Sequence, residues 1–441
     1  MELYLDNFRG FEKQYIELND VNFLVGENST GKTTLLGLLS LFSEKENFWD
    51  TGFKNEYVDF GLFNEIVSKS KRTNKKFVLG FKKGNKLKGP KFVFDEVVAE
   101  YEELDGFPLP FRVSLKKGNL ILIIKYEQNN IIIAGKLAVD KGSTDWIQQH
   151  VIDESVEFKK ELPFLQSPKS KNMLIKNPEY AFLVLDYKKD DIIAKWAKVF
   201  NSDPFMKGAS LFNDYSKQIW IDPVRSKPKR IYEPQNIKYS PEGEHTPTLL
   251  RDILLNNTAK QNKSFIAELQ RFGKASGLFD EVKIDQYRKS KDSPFSLLFR
   301  LKNKDLKISN IGYGISQVLP ILTEILYASE GSSFLIQQPE VHLHPRSQAY
   351  FGEFVFNQLV EQKKKFVIET HSDYLIDRFR LQVRKKNGQV YKKTNILFFE
   401  TDGVKNKVTK IAIDKNGDYV GEQPQKFREF FLKEEMELLG L

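Results

Sequence analysis

Leu3 and Leu5, followed by Phe8, and Ile16 and Leu18, preceded by Tyr15, set apolar residues among polar ones largely at every second position, which predicts a pair of strands at the N-terminus. The next apolar run, Val21–Val25, leads straight into Gly26-Glu-Asn-Ser-Thr-Gly-Lys32-Thr33, and the leucine-rich run Thr34–Phe42 follows as a helix. Beyond it, Phe77–Phe81, Phe92–Phe94, Phe111–Leu115, Leu120–Tyr126 and Asn130–Leu137 are short β-rich runs separated by Gly, Pro, Asn and Lys, the pattern of an antiparallel meander. From Asp145 to about Lys217 the pattern lengthens and predicts helix. Leu249–Gly277 has helical spacing through Leu250, Ile253, Leu254, Phe265, Leu269 and Phe272. Phe295–Leu301 reads as strand, and strand and helix alternate from there to the end. The expected class is α/β, in three parts: a first half with the glycine loop and the meander over residues 1–140, a mainly helical insertion over 141–290, and a second half over 291–441.

The order strand, glycine loop, helix is what a phosphate cradle requires. Backbone N–H groups of a tight loop wrap the α/β-phosphates, and the helix N-terminus adds the positive end of its dipole. Lys32 would reach the β/γ-phosphates and the Thr33 hydroxyl would ligate Mg²⁺. Asn28, Ser29, Thr30, Gly31, Lys32, Thr33 and Thr34 are therefore the candidate nucleotide contacts, and ATP with Mg²⁺ the expected ligand.

Composition narrows the setting. No run approaches the ~18 apolar residues of a membrane span. Met1-Glu2-Leu3-Tyr4-Leu5 is already strand-like, with no charged segment ahead of an apolar one to mark a secretory signal. The absence of cysteine excludes disulfides and thiolate metal sites and fits a cytoplasmic chain. A net charge of +9, clustered at Lys69–Arg72 with Lys75 and Lys76, at Lys82 to Lys91 and at Lys363–Lys365, offers candidate contacts to nucleic acid or an acidic partner. Lysine-rich loops are also ordinary solubility devices, so charge alone assigns no nucleic acid.

Three further segments extend the chemistry. Ser309-Asn-Ile-Gly312-Tyr-Gly314-Ile-Ser316-Gln317-Val-Leu-Pro320 is a glycine-rich turn opening an apolar helix. Ser333-Phe-Leu-Ile336-Gln337-Gln338-Pro339-Glu340-Val-His342-Leu-His344-Pro345 is an apolar strand with a polar end, and Phe366–Ile368 is a strand ending in Glu369-Thr370-His371-Ser372. In this order the segments resemble an ABC-type ATPase head: a mixed sheet with a phosphate loop, an antiparallel β lobe and a helical insertion. The wording, with Phe8-Arg-Gly-Phe11, Asp59-Phe-Gly61, Trp220-Ile-Asp-Pro-Val-Arg225, Pro228, Arg230 and Pro424-Gln-Lys-Phe427-Arg-Glu-Phe-Phe431, resembles the OLD-type, SMC-like ATPases of prokaryotes. The resemblance covers both ends of the chain well and the middle poorly.

That resemblance implies a head-to-tail homodimer, or a higher even oligomer, in which the signature of one subunit closes over the triphosphate of the other. It makes Gly314 and Ser316 the contact to the γ-phosphate in trans and His371 the residue that senses it. Both roles suit the chemistry, since a helix N-terminus and a hydroxyl donate to anions and an imidazole can donate to phosphate or orient water. His342 and His344 form an i, i+2 pair without a visible partner cluster, and the family uses this segment structurally. The family strand usually ends in at least one carboxylate, which attracts Mg²⁺ and polarises water. Here Gln337 and Gln338 are both amides. Hydrolysis is then weak by nature, or Glu340 supplies the charge, or position 337 carries a Glu→Gln change that traps the ATP-bound state. The last is favoured, because a single substitution restores the common Glu-Gln-Pro-Glu wording.

Absences sharpen the expectation. Sustained heptads of a long coiled-coil arm are missing, and about 70 residues follow His371, short of a typical ~100–150-residue nuclease domain. What remains resembles the stand-alone OLD-like ATPases encoded beside a separate effector, a nuclease or toxin, in anti-phage systems such as PARIS or Septu. The competing class is a DNA-binding repair or maintenance ATPase. Either way, Lys32→Ala removes the principal counter-ion of the β/γ-phosphates and abolishes triphosphate binding, a loss of about 3 kcal/mol or more. Unchanged affinity in a calorimetric titration would reject the phosphate-loop assignment.

Overall fold

In a computed structural model, residues 1–43, 53–68, 76–82, 95–118, 120–127, 130–137, 146–150, 158–163, 218–234, 238–256, 258–290, 292–427 and 429 are described. Strands β1 (Glu2–Asp6), β2 (Gln14–Glu17) and β3 (Val21–Gly26) precede the glycine loop, and helix α1 (Lys32–Ser43) follows it, as expected. The chain divides into two compact units, each built from several stretches.

The first unit comprises Met1–Leu18, Ser29–Lys217 and Phe399–Val408. After the short helix α2 (Phe63–Ile66) come β4 (Lys76–Lys82), β5 (Glu96–Leu104), β6 (Phe107–Lys117), β7 (Leu120–Glu127), β8 (Asn130–Leu137) and β9 (Phe158–Pro163). They form an antiparallel sheet in the order β2-β1-β4-β5-β6-β7-β8-β9, the expected meander. One reading changes. Phe158–Pro163 lies in the stretch expected to be helical, yet it pairs antiparallel with Asn130–Gly135 as the meander's last strand. Ladder hydrogen bonds from an already formed strand override a weak helical spacing. Trp146–His150 is a 3₁₀ turn. The rest of 145–217, the run Phe92–Phe94 and Phe431 lie outside the described residues. The core of this unit is aromatic: Phe77 stacks on Tyr101 at 4.7 Å between ring centres and meets Phe8 and Phe53 at 5.5 Å each.

The second unit comprises Asn19–Asn28, Gln218–Phe398 and Thr409–Leu441. In it α3 (Thr246–Leu255) and α4 (Lys260–Ser276) realise the helical spacing of Leu249–Gly277. A three-stranded antiparallel sheet of β11 (Glu281–Gln286), β12 (Phe295–Leu301) and β13 (Lys304–Lys307) follows. Then come α5 (Tyr313–Tyr327), β14 (Ser333–Gln337), α6 (Pro345–Gln362), β15 (Lys365–Glu369) and α7 (Asp373–Lys385). With β10 (Gln218–Ile221), β16 (Thr394–Thr401), β17 (Asn406–Ile413) and β18 (Tyr419–Val420) the central sheet runs β10-β14-β15-β3-β16-β17-β18. β10, β14, β15 and β3 are parallel, and all of β3 and β14 is buried, as parallel strands covered on both faces require. This mixed α/β architecture is the one expected of an ABC-type ATPase head.

Helices α6 and α7 meet at Gly352, where a Cβ would stand 2.0 Å from the Leu375 carbonyl. Between α6 and β15, Lys364 is 2% exposed and donates to the Ile325 carbonyl at 2.5 Å and to Gln358 Oε1 at 3.1 Å. Burial pushes its ammonium down to about 8 from 10.5, so the folded chain binds this proton less tightly than the unfolded chain. The associated stability is present above pH 10.5 and is lost as pH falls toward 8. Urea midpoints of the parent should therefore rise relative to Lys364→Met between pH 8 and pH 10. Parallel curves would mean that the Lys364 charge carries no burial penalty.

Candidate functional site

The phosphate loop takes its shape from left-handed residues. Gly26, Ser29 and Gly31 have φ of 136°, 62° and 97°. Only glycine adopts such angles freely, and a Cβ on Gly31 would stand 2.4 Å from the Phe11 ring. Ser29 is a non-glycine held in that region, a local strain typical of ligand clamps. Helix α1 starts at Lys32, with the Leu35 N–H closing on the Gly31 carbonyl at 3.0 Å. Asn28, Ser29, Thr30, Gly31, Lys32, Thr33 and Thr34 thus lie on the loop and the first helical turn, as the sequence predicts.

Sequence reading passed over what surrounds the loop within the first unit. A cavity of about 1040 Å³ is lined by Ser29 of the loop together with Arg9, Asp59, Asn64, Thr401 and Asn406, among others. Asp59 Oδ1 accepts from the Gly61 N–H at 2.8 Å, and Glu65 Oε2 from the Leu62 N–H at 2.8 Å, which fixes the turn that forms one wall. Arg9 lies over the Phe60 ring at 5.3 Å. The segments Phe8-Arg-Gly-Phe11 and Asp59-Phe-Gly61 are visible in the sequence, but only the fold brings them to one cavity with Ser29.

In the second unit the parallel register brings the other candidates to one end of the sheet. Gln337 pairs with Glu369, and Glu369 with Leu24 of β3. Gln338 has φ 42°, and its N–H donates to the Glu369 carbonyl at 2.8 Å. Glu340 is half-buried among polar partners: its Oε1 accepts from the His371 N–H at 2.7 Å and its Oε2 from the Thr370 hydroxyl at 2.8 Å. Burial pushes the Glu340 carboxyl up, against the pull of those donors and of Arg225. Glu340 therefore ties the β14 exit to the backbone of His371, and these bonds engage both of its oxygens.

At the signature, Gly312 caps α5, and Gly314 lies so near the 340–344 turn that a Cβ would meet the His342 carbonyl at 2.8 Å. Ser316 donates its hydroxyl proton to the Tyr313 carbonyl at 2.6 Å, inside its own helix. His342 has φ 62° and faces the Tyr313 ring edge-on at 5.0 Å, whereas His344 caps α6 by accepting from the Arg346 N–H at 3.2 Å. Both histidines have structural work, as expected. Among the described residues no group of three or more His, Cys, Asp or Glu could hold a metal. The Lys363–Lys365 cluster is not a phosphate patch: Lys363 pairs with Glu330 at 2.5 Å and Lys364 is buried. Lys69–Arg72, Lys75 and Lys83–Lys91 lie outside the described residues. Among the described residues no helix is long and apolar enough to cross a membrane.

The profile of the AAA ATPase domain family AAA_15 matches residues 1–376. The chain belongs to this family. Among solved structures, it is similar to an Smc head bound to the C-terminal winged-helix domain of ScpA, at 11% identity and TM-score 0.42, covering 94% of this chain and 98% of that one. It is also similar to an Smc head with an extended coiled coil bound to the C-terminal domain of ScpA from Pyrococcus furiosus, at 10% identity and TM-score 0.41 over 100% and 98% of the two chains. A third is the SMC head of Thermotoga maritima, at 10% identity and TM-score 0.37 over 93% and 98%. At these scores the likenesses are loose, and the AAA_15 assignment stands on the domain match. No curated protein matches the chain.

Proposed function

We propose that this AAA_15 ATPase is a nucleotide-controlled dimer of the OLD type that acts as sensor or scaffold for a separate effector, a nuclease or toxin, in prokaryotic anti-phage defence. The observation that carries the dimer is the open signature. Among the described residues nothing lies within 4 Å of a Cβ position on Gly312, and Tyr313 beside it is exposed. The N-terminus of α5 carries the positive end of its helix dipole, so this helix end suits a phosphate presented by a second subunit. An isologous pair is the common solution for a homodimer.

Within one chain, the loop from Asn28 to Thr34 would bind the triphosphate, and the cavity bounded by Ser29, Arg9 and Asp59 would take the rest of the nucleotide. Thr33 would hold the Mg²⁺ that ATP brings, a cation that commonly rests on substrate phosphates rather than in an all-protein cage. Gln337 and Gln338 supply oriented amides without charge, so turnover is slow and the closed dimer long-lived. With Glu340 bonded to Thr370 and His371, the missing charge is best sought at position 337. The effector and the defence setting rest on the OLD resemblance. The DNA-binding alternative draws on the ordered loop carrying exposed Lys227, Lys229 and Arg230, and it expects duplex affinity that falls steeply with salt.

Gln337→Glu should raise ATP hydrolysis at least about tenfold, roughly 1.4 kcal/mol off the barrier. A parent that already turns over at an ordinary enzymatic rate would place the catalytic charge elsewhere. Gly312→Asp fits sterically and is a favourable helix cap, yet it sets a carboxylate against the incoming phosphate. In light scattering the variant should keep monomer binding of ATP and lose the ATP-dependent dimer. Dimerisation that survives this change would defeat the trans arrangement.

A further inference from the structure

Arg225 is a buried cation that the phosphate-loop chemistry leaves unused. The chain leaves β10 at Ile221 and turns through Asp222-Pro223-Val224; Val224 is 71% exposed, while Arg225 is 2% exposed. Its Nη2 donates to the Gln337 carbonyl at 3.0 Å, and its Nη1 to the Gln338 carbonyl at 3.3 Å and the Pro223 carbonyl at 2.9 Å. Nε has no hydrogen-bond partner among the described residues. Burial pushes the guanidinium down to about 10, opposed by the nearby Glu340 and Asp222 carboxylates.

A buried guanidinium with one orphaned N–H is an expensive way to end a strand, since desolvating an ion costs several kcal/mol and an apolar side chain of similar volume would do. What an apolar side chain cannot do is grip two successive carbonyls. Those carbonyls need gripping, because Gln338 sits at φ 42°, a left-handed conformation that is unfavourable for a non-glycine residue. Gln338 is held on both sides, by its N–H on the Glu369 carbonyl and its own carbonyl on Arg225. Two residues on, Glu340 carries the same tie to Thr370 and His371.

We propose that Arg225 is a positioning residue for ATP hydrolysis, one that fixes the backbone of Gln337 and Gln338 and, through Glu340, keeps the His371 segment in register with them. The proposal rests on the ATPase reading above. It is specific to the guanidinium fork: a lysine ammonium is a point charge on a flexible stem and cannot span carbonyls of consecutive residues in fixed geometry.

The test places Arg225→Lys and Arg225→Met in the Gln337→Glu protein and measures kcat, KM and calorimetric ATP·Mg²⁺ affinity, with thermal melts alongside. Both variants should lose at least about tenfold in kcat while ATP affinity stays within about threefold, and lysine should not rescue. If Arg225→Met does not fold, Arg225→Lys, which keeps the buried charge, decides alone. An unaltered kcat in a parent that binds and hydrolyses ATP overturns the positioning role by itself. So does a loss of kcat matched by losses in affinity and melting temperature that lysine restores, the signature of a purely structural residue. A parent that neither binds nor hydrolyses ATP overturns the ATPase reading and the positioning role together.

Discussion

Parallel pairing of β14, β15 and β3 is the constraint from which the chemistry follows. Once Gln337 is opposite Glu369 and Glu369 opposite Leu24, the three strands must end within a residue or two of one another. The Gly26 loop, the Gln337-Gln338 turn and the Thr370-His371 turn then leave the sheet at the same edge. Ligands of open α/β sheets bind outside the carboxyl ends of their strands, where backbone groups have run out of ladder partners. A slip of one residue in any of these strands would bury the turn side chains or expose the strand, so the fully buried runs Val21–Val25 and Ser333–Ile336 fix the site as well as the core.

Polar groups at that edge are tied down in pairs rather than left to solvent. Thr370 donates its N–H to the Leu24 carbonyl at 3.0 Å and its hydroxyl to Glu340, and Ser372 caps α7 while donating to Gln348 at 2.6 Å. Each such bond is worth only about 1 kcal/mol net, but leaving one partner of a buried pair unmet costs more. The network therefore specifies geometry more than it adds stability. The same pairing holds the strained residue Gln338, whose N–H and carbonyl are bonded to the Glu369 carbonyl and to Arg225.

Chain pattern alone determined the strand, glycine loop and helix at residues 21–42, the antiparallel meander up to Leu137, the helices of 246–276 and the strands near 333–337 and 365–369, because each is written in local periodicity and in glycines that only tight turns need. Tertiary structure alone decided the rest. Arg9, Asp59 and Asn406 meet Ser29 at one cavity, and Arg225 reaches Gln337, across separations that no local pattern encodes. Phe158–Pro163 became a strand because its neighbour offered a ladder, and Lys363–Lys365 ceased to be a basic patch because one member found an acid and another a buried pair of carbonyls. Sequence dictates which backbone shapes are available to a residue; which distant partner satisfies its charge or hydrogen bond is settled only when the chain has folded back on itself.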